Sequence, residues 1–579
     1  MSEQKKKIGK TVFYGGDIIT CDQEASIVEA IAIDNGRILA VGKLNEVLSI
    51  TTDDFQKVDL KGATLMPGLI DTHPHLMHFG AFTHSSTELF DAVDHEDIVA
   101  RLAERAADTP EGDWVMGTPV GEPHYFVTRS YEDLKEGELP DRKILDQAST
   151  KHPIIIQAWA PKTPNVTAFN TRALEILGIS SETPDRVGNV WIEKDEDGFP
   201  TGRLSGTVIN YYSNEPFMNE ILSKIPLLNP MSIIPGTLEA MKEFNELGVT
   251  AGYDGHAMDF PLIEAYQYLR ESDLMSVRML CCPEAEPYGL PWTSTLSEKE
   301  FDGRMEQARD MVSRDDDFLR IDGLTIGRGG PCGPGLTLMR EPYLDAYGNM
   351  TTGVSFVEEE RTQRAMTYCC DHGVRLNIVT AGTGEHDDYL KYLETLDPTK
   401  LNVDGRAWIL QHLYFVEDEQ AKRMGALGFD ATTSLSFSWG KGDMFRERMG
   451  EEVLKDLIPL RRLVDSGMHV ACGTDWGPKN IFKHIALAVE PSFAVSGRKN
   501  DGPAQVVGRQ EALNMWTREA AHVLRWEGIG SIEVGNHADL VIIDQNPLTV
   551  SLDKLSDTKV HATMLGGNVV YGDDYFDAN

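Results

Sequence analysis

The chain is poor in cysteine. Seven cysteines in 579 residues do not make a disulfide framework. None shows the paired Cys-x-x-Cys spacing of a structural zinc site. Cys281 and Cys282, and Cys369 and Cys370, are adjacent pairs, read as buried thiols beside strand ends or on helices. Basic residues are scarce too: 54 Lys and Arg stand against 91 Asp and Glu, a net charge of −37. That balance argues against nucleic-acid binding, which needs a basic face. It also disfavours an anionic membrane surface and favours solubility. No run of 18 apolar residues occurs. The opening MSEQKKK has charge but no apolar segment behind it, so the expected location is cytoplasmic. The glycine-rich stretch 327–335, GRGGPCGPG, lacks both the strand-to-helix Gly-x-Gly-x-x-Gly of a dinucleotide site and the Lys-Ser/Thr of a P-loop.

What the chain does contain is a core-forming composition, with 41% hydrophobic residues, and a length beyond one ordinary domain. Its most informative stretch is 65–75, LMPGLIDTHPH. An apolar run ends in Asp71, His73 and His75. On a strand, side chains two apart share a side, so the two imidazoles form half of a metal site. The alternative is two ordinary histidines. A second apolar run, 469–476, HVACGTDW, ends in Asp475. A carboxylate at a strand end can ligate a metal and take a proton from water; a lone Asp there is otherwise a turn or cap residue.

Residues 10–64 and 528–572 read as short alternating strands with turns at Asn35, Gly36, Lys61 and Gly62. Between them, strands are expected at 65–71, 249–254, 277–282, 320–326, 374–379, 407–411, 429–433 and 468–472. Helical stretches alternate with them, which points to an α/β fold and a TIM-like (β/α)8 barrel with its site at the strands' C-terminal ends. The gap after the first strand is too long for one crossover. Residues 83–236 therefore read as an insertion over the barrel mouth.

With these residues in view, the chain resembles the amidohydrolase superfamily, and within it the amidohydrolase-3 or YtcJ-like group. Three framework stretches carry the resemblance: 30–42, AIAIDNGRILAVG; 511–521, EALNMWTREAA; and 528–544, GIGSIEVGNHADLVIID. The resemblance implies that residues 1–64 and 528–579 pair into a small β-sandwich. It implies a barrel from 65–82 and 237–527, with 83–236 as the inserted subdomain. It also implies a homodimer.

The resemblance further implies a metal centre from His73, His75 and Asp475, joined by His412 at the end of 408–412, WILQH. Two family positions depart. Thr325 stands where a carboxylated lysine usually bridges two metals, and Asn377 stands where strand five usually ends in a histidine. Threonine forms no carbamate, and asparagine is a weak zinc ligand. The expectation is one divalent ion, Zn or Mn, rather than two. Cys282, His256 and Cys332 are the candidates to replace the missing bridge. In the insertion, Asn165 falls where the family carries a histidine. Trp159, Tyr125 and Phe126 could line a pocket, and Glu122 to His124 could reach the mouth.

The expected function is hydrolysis of a small organic substrate at a carbonyl carbon by metal-activated water, most simply at an amide or cyclic amide C–N bond. Asp475 and His412 are the expected catalytic residues: Asp475 takes and returns the proton, and His412 completes the metal shell or polarises the carbonyl. Asn377, Arg328 and His256 are expected to touch substrate. One alternative is hydrolytic C–C cleavage, such as opening of a cyclic diketone, with Arg328 or His412 stabilising an enolate. Another is a non-catalytic binding protein on the same fold.

Overall fold

The computed structural model describes residues 7–121, 129–158, 165–289, 293 and 295–577. Both ends of the chain contribute to one hydrogen-bonded sheet of eight strands. Thr64–Pro67 runs antiparallel to Leu540–Ile543, with Leu65 opposite Ile542, so the two terminal segments pair. Thr11–Ile19 lies beside Ile27–Asp34 in an antiparallel register with Val12 opposite Ala32. The alternation buries Phe13, Ile31, Ile33 and Leu65 on one face and Val12, Ala30 and Ala32 on the other.

Nine short parallel segments form the central α/β body: β1 (Leu69–Asp71), β2 (Val249–Asp254), β3 (Arg278–Cys281), β4 (Leu319–Ile321), β5 (Leu324–Gly327), β6 (Leu376–Thr380), β7 (Ile409–His412), β8 (Asp430–Thr433) and β9 (Val470–Cys472). They hydrogen-bond as two sheets, β1 to β4 and β5 to β9, each in chain order. Backbone bonds join the sheet edges. Thr325 N–H donates to Pro283 O at 2.8 Å, and Thr72 N–H donates to Cys472 O at 3.3 Å. Ile70, Ala251, Tyr253, Leu280, Ile409 and Ala471 pack with Val523, Leu524 and Trp526 in one buried cluster.

Two of the expected strands are each two strands. The stretch 65–71 breaks at Pro67 and Gly68: Thr64–Pro67 belongs to the terminal sheet and β1 to the central body. Proline has no N–H for a ladder. A Cβ on Gly68 would meet the Thr250 side chain at 2.2 Å, so only glycine lets β1 lie against β2. The stretch 320–326 breaks at Gly323, whose φ of +105° ends β4 and re-aims the chain into β5.

The insertion builds its own sheet of seven strands, among them Ile154–Ile156, Val166–Phe169, Val190–Lys194 and Pro200–Gly206. Helices α1 (Leu76–Ser85) and α2 (Pro230–Glu246) lead into and out of it, and both run through the anticipated boundaries at 82/83 and 236/237. They cross at Gly80 and Gly236, where a Cβ on either would meet the other's carbonyl oxygen at 2.2 Å. This contact fixes α1, which starts immediately after His75. We expect Gly236→Ala to push the helices apart and destabilise the chain by about 1–3 kcal/mol, read as a lowered midpoint in chemical denaturation with an unchanged slope.

Candidate metal centre

The two motifs meet. Asp71, fully buried at the end of β1, accepts hydrogen bonds from the N–H of His73 at 3.0 Å, from the N–H of Thr474 at 3.0 Å and from Thr474 Oγ1 at 2.7 Å. Burial pushes its carboxyl up, against the pull of Lys479 and these donors. Lys479 is itself buried and donates to Pro74 O at 3.1 Å and to Asp475 O. Asp475 N–H donates to His73 O at 2.7 Å. The chain segments carrying His73 and Asp475 are thus bound to each other through backbone.

β1 ends at Asp71, so His73 and His75 stand on the turn beyond the strand rather than on its face. His75 has φ +47° and caps α1. Asp475 has φ +52° and His412 φ +80°. Left-handed conformations at non-glycine residues cost on the order of 1–3 kcal/mol each and concentrate at functional sites. Here they aim three of the four expected ligands at one point.

Four imidazoles and one carboxylate converge. His73 Nε2 lies 3.2 Å from His75 Nε2 and 2.8 Å from His256 Nε2. Asp475 Oδ1 is 3.4 Å from His75 Nε2, and Asp475 Oδ2 is 3.7 Å from His412 Nδ1. Two sets have metal-ligand spacing: His73 with His75 and Asp475, and His73 with His256 and His412. Burial holds His73 and His256 well below the usual imidazole range and pushes His412 down to about 4. Burial opposes charge on Asp475, but His73, His75 and His412 outweigh it and keep the carboxyl well below its usual range.

This donor set fits a divalent metal. Neutral imidazoles present lone pairs, and lone pairs at 2.8–3.2 Å repel unless a proton or a cation lies between them. His73 Nε2 faces two such partners and can share a proton with only one. His73 Nδ1 and His256 Nδ1 have no hydrogen-bond partner. Nitrogen and carboxylate donors in this number suit zinc, and manganese accepts the same set.

The departures from the family pattern have structural counterparts. Thr325 Oγ1 donates to Gly255 O. Asn377 Nδ2 donates to Gly255 O at 2.7 Å and to Gln411 Oε1 at 2.7 Å. Both side chains tie strands together beneath the cluster, so the expectation that Asn377 touches substrate is corrected: it does not line the cavity. Arg328 is corrected too. Its guanidinium donates to Asp388 at 3.0 Å and to Ser355 at 3.3 Å, and it lies outside the cavity lining. Burial raises the thiols of Cys282 and Cys332 to about 12, and among the described residues neither belongs to a set with metal-ligand spacing. Asn165 does not line the cavity either. Glu122, His124, Tyr125, Phe126 and Trp159 lie outside the described residues.

His256 lines the cavity above the cluster, and so do several residues that the sequence patterns did not single out. His78 is one helical turn from His75, buried, with no hydrogen-bond partner at either nitrogen; the spacing His73, His75, His78 was its signal. Tyr414 follows His412 by two. Its hydroxyl contacts His412 Nδ1 and lies 3.5 Å from Asp475 Oδ2. Trp476 stacks on His75 at 5.3 Å. Tyr211 and Tyr212 come from the insertion, which is held by the Tyr212 N–H donating to Gly289 O at 2.7 Å. Lys441 enters from helix α3 (Ser436–Met449).

The sequence profile of the amidohydrolase family matches residues 56–571. The chain belongs to the amidohydrolase family. Membership makes this amidohydrolase a hydrolase. It is similar to the putative amidohydrolase YtcJ of Bacillus subtilis, 24% identical across 97% of this chain and 99% of that protein. It is similar to the N-substituted formamide deformylase of Arthrobacter pascens, 25% identical across 97% and 98%. Its fold resembles that of an uncharacterized metal-dependent hydrolase from Pyrococcus horikoshii, with a TM-score of 0.71, 22% identity and coverage of 94% and 99%. No helix among the described residues is long and apolar enough to cross a membrane.

Two outcomes follow for this amidohydrolase. A Cβ on Gly473 would lie 2.3 Å from His73 Cβ and 2.5 Å from its backbone nitrogen. Gly473→Ala should therefore weaken zinc binding by about 10- to 100-fold, as loss of ligand support does, measured by competition with a chromogenic chelator. The depressed imidazole pKa values set the acid limit of metal retention. Ordinary histidines begin to exchange metal for protons near pH 6.5. Here His412 takes a proton only near pH 4, so zinc retained after dialysis should stay level from pH 8 to about 5 and fall below that.

Proposed function

We propose that this amidohydrolase binds one divalent metal ion through His73, His75, His412 and Asp475, with His256 in the same cluster, and hydrolyses a C–N bond of a small amide, formamide or cyclic amide. We read β1 to β9 as one (β/α)8 barrel in which β4 and β5 are a single interrupted strand. The terminal sheet is a separate β-domain, and the seven-stranded insertion is a wall over the barrel mouth. The observation that carries the reading is the convergence of buried imidazoles on the Asp475 carboxylate. The deformylase named for Arthrobacter pascens supports formamides as the first substrates to test. The absence of a carbamate-forming residue at Thr325, whose hydroxyl donates to Gly255 O, supports one metal rather than a bridged pair.

When bound, a divalent metal supplies Lewis-acid polarisation and lowers the pKa of a water toward neutrality. The chain's own residues handle the proton. Asp475 is ionised, and Trp476 N–H donates to its Oδ1 at 2.7 Å, which fixes the carboxylate plane. Oδ2 remains directed at Tyr414. In the hydrogen-bond assignment that satisfies all three groups, His412 Nδ1–H donates to Tyr414, and the Tyr414 hydroxyl donates on to Asp475. That tautomer leaves His412 Nε2 as a lone pair for the cluster. Asp475 accepts the proton of the attacking water and returns it to the leaving nitrogen. Phe82, Tyr212 and Trp476 line the cavity and limit water around the reacting carbonyl. For C–C cleavage, Arg328 is engaged with Asp388, which leaves His412 as the enolate partner.

The test is turnover of N-benzylformamide by zinc- or manganese-loaded protein, with formate and amine measured separately. Asp475→Asn should lower kcat by about 10²–10⁴-fold, and His73→Ala should lose the metal, read by elemental mass spectrometry. Full activity in Asp475→Asn would refute the proton-transfer role. A nitrogen-free acid released from a diketone, with no amide turned over, would replace C–N by C–C cleavage.

A further inference from the structure

The insertion reaches the cavity through one strained residue. Tyr212 follows the insertion's strand Pro200–Gly206, and its φ is +46°. A left-handed backbone at a bulky residue is costly and persists only where the surroundings over-determine it, most often at a functional site. Three contacts hold it here. Tyr212 N–H donates to Gly289 O at 2.7 Å. Its ring meets Tyr288 edge-on at 5.4 Å and Phe356 at 6.1 Å. A Cβ on Gly289 would lie 3.3 Å from Tyr212 Cζ and 3.5 Å from the hydroxyl, so the glycine leaves room for the phenol end of the ring.

The phenols of this region differ in what they do. Tyr414 is spent on His412 and Asp475, and the Tyr288 hydroxyl donates to Gly329 O at 3.3 Å. Tyr212 lines the cavity together with His75 and Asp475. Among the described residues no hydrogen bond takes up its hydroxyl. Burial, and then the carboxylates of Glu284 and Asp475, hold that hydroxyl well above the usual phenol range. It therefore stays protonated, an uncharged donor. The Tyr414 phenol feels both Asp475 and Tyr212, so the Tyr212 hydroxyl lies within electrostatic reach of the carboxylate that handles the proton.

We propose that the Tyr212 hydroxyl donates a hydrogen bond to the carbonyl oxygen of the bound substrate, and that this bond strengthens as attack places negative charge on that oxygen. When water adds, the new C–O bond moves the carbonyl π pair onto oxygen, and Asp475 takes the water's proton. Tyr212 keeps its own proton and only shares it. When the C–N bond breaks, the pair on oxygen re-forms C=O and the leaving nitrogen takes the proton from Asp475; an acid and an amine result. A donor fixed in advance and shielded from water gives the most to such an oxyanion, and packing fixes Tyr212 in this way. The insertion then carries part of the catalytic machinery, and the substrate class is acyl compounds that pass through a tetrahedral oxyanion. The inference rests on the hydrolase reading for the attack itself; the oxyanion contact can be read without turnover.

Binding therefore tests it separately from catalysis. Zinc-loaded protein is titrated calorimetrically with phenethylphosphinate, a tetrahedral oxyanion shaped like N-benzylformamide under attack, and with the planar ketone benzylacetone. The wild-type chain should prefer the phosphinate. Tyr212→Phe should weaken the phosphinate by about thirtyfold or more and leave the ketone within about threefold. With N-benzylformamide it should lower kcat by about 10²-fold and keep KM within about threefold. Unchanged zinc content and ketone affinity report that the variant is folded. The proposal is overturned if the wild-type chain shows no preference. It is also overturned if Tyr212→Phe keeps the preference, which would leave the oxyanion to the metal alone, or weakens both ligands alike, which would make the ring a packing element. A chain that shows the Tyr212-dependent preference yet hydrolyses no formamide would leave this contact standing and remove the hydrolytic reading. Formamide turnover untouched by Tyr212→Phe would do the reverse.

Discussion

The site depends on one buried carboxylate. Asp71 accepts three hydrogen bonds at the seam between the first and last strands of the central body, two of them from Thr474. An unpaired carboxylate there would be costly to bury. Paired, it holds together two motifs some 400 residues apart. Lys479 spans the same seam from the other side, donating to carbonyls next to both motifs. Charge-assisted bonds of this kind are stronger than neutral ones and directional. They set the His73 backbone against Asp475 to within a hydrogen bond, and the ligand geometry follows from that.

Around this seam the backbone is held in conformations it would not choose alone. His75, His412 and Asp475 all have positive φ, and a metal site built on unstrained strands would not need them. The strain persists because the flanking elements over-determine it. α1 is clamped to α2 through Gly80 and Gly236, and Gly473 lets His73 approach within van der Waals contact. The low-dielectric surroundings hold His73, His256 and His412 below the usual imidazole range, so their nitrogens present lone pairs at neutral pH.

The cavity divides its tasks by origin. Its floor comes from the ends of the parallel strands and carries the donors. Its walls come from elsewhere: Asn210, Tyr211 and Tyr212 from the insertion, Gly329 to Pro331 from the glycine-rich loop, and Phe437 with Lys441 from α3. Loops on a rigid scaffold are where specificity is usually carried. The glycine-rich loop acts through its backbone, since Gly329 N–H binds Glu385, and its arginine turns away to Asp388.

The family resemblance supplied the pairing of the terminal strands and the place of His412; by itself the sequence determined the α/β alternation, the strand-rich terminal segments, and His73, His75 and Asp475 as candidate ligands. These are local matters: period-two burial, Gly and Pro punctuation, and donors at the ends of apolar runs. Tertiary structure decided what local pattern cannot express. The stretch 65–71 reads as one strand by periodicity, yet Pro67 and Gly68 split it between two sheets because Thr250 lies against Gly68. His73 and His75 read as one face of a strand, yet they meet through a left-handed turn. Arg328 and Asn377 read as substrate contacts because of their position in the chain, but Asp388, Gly255 and Gln411, each distant in sequence, claim their donors. Lys441 and Lys479 gave no signal, since a lone lysine is ordinarily solvated, and Tyr414, within the apolar run 413–416, LYFV, reads as an ordinary core residue. Only the packing of β1 against β9, and of α3 over the cavity, buries them and turns their hydrogen bonds and charge toward the metal centre.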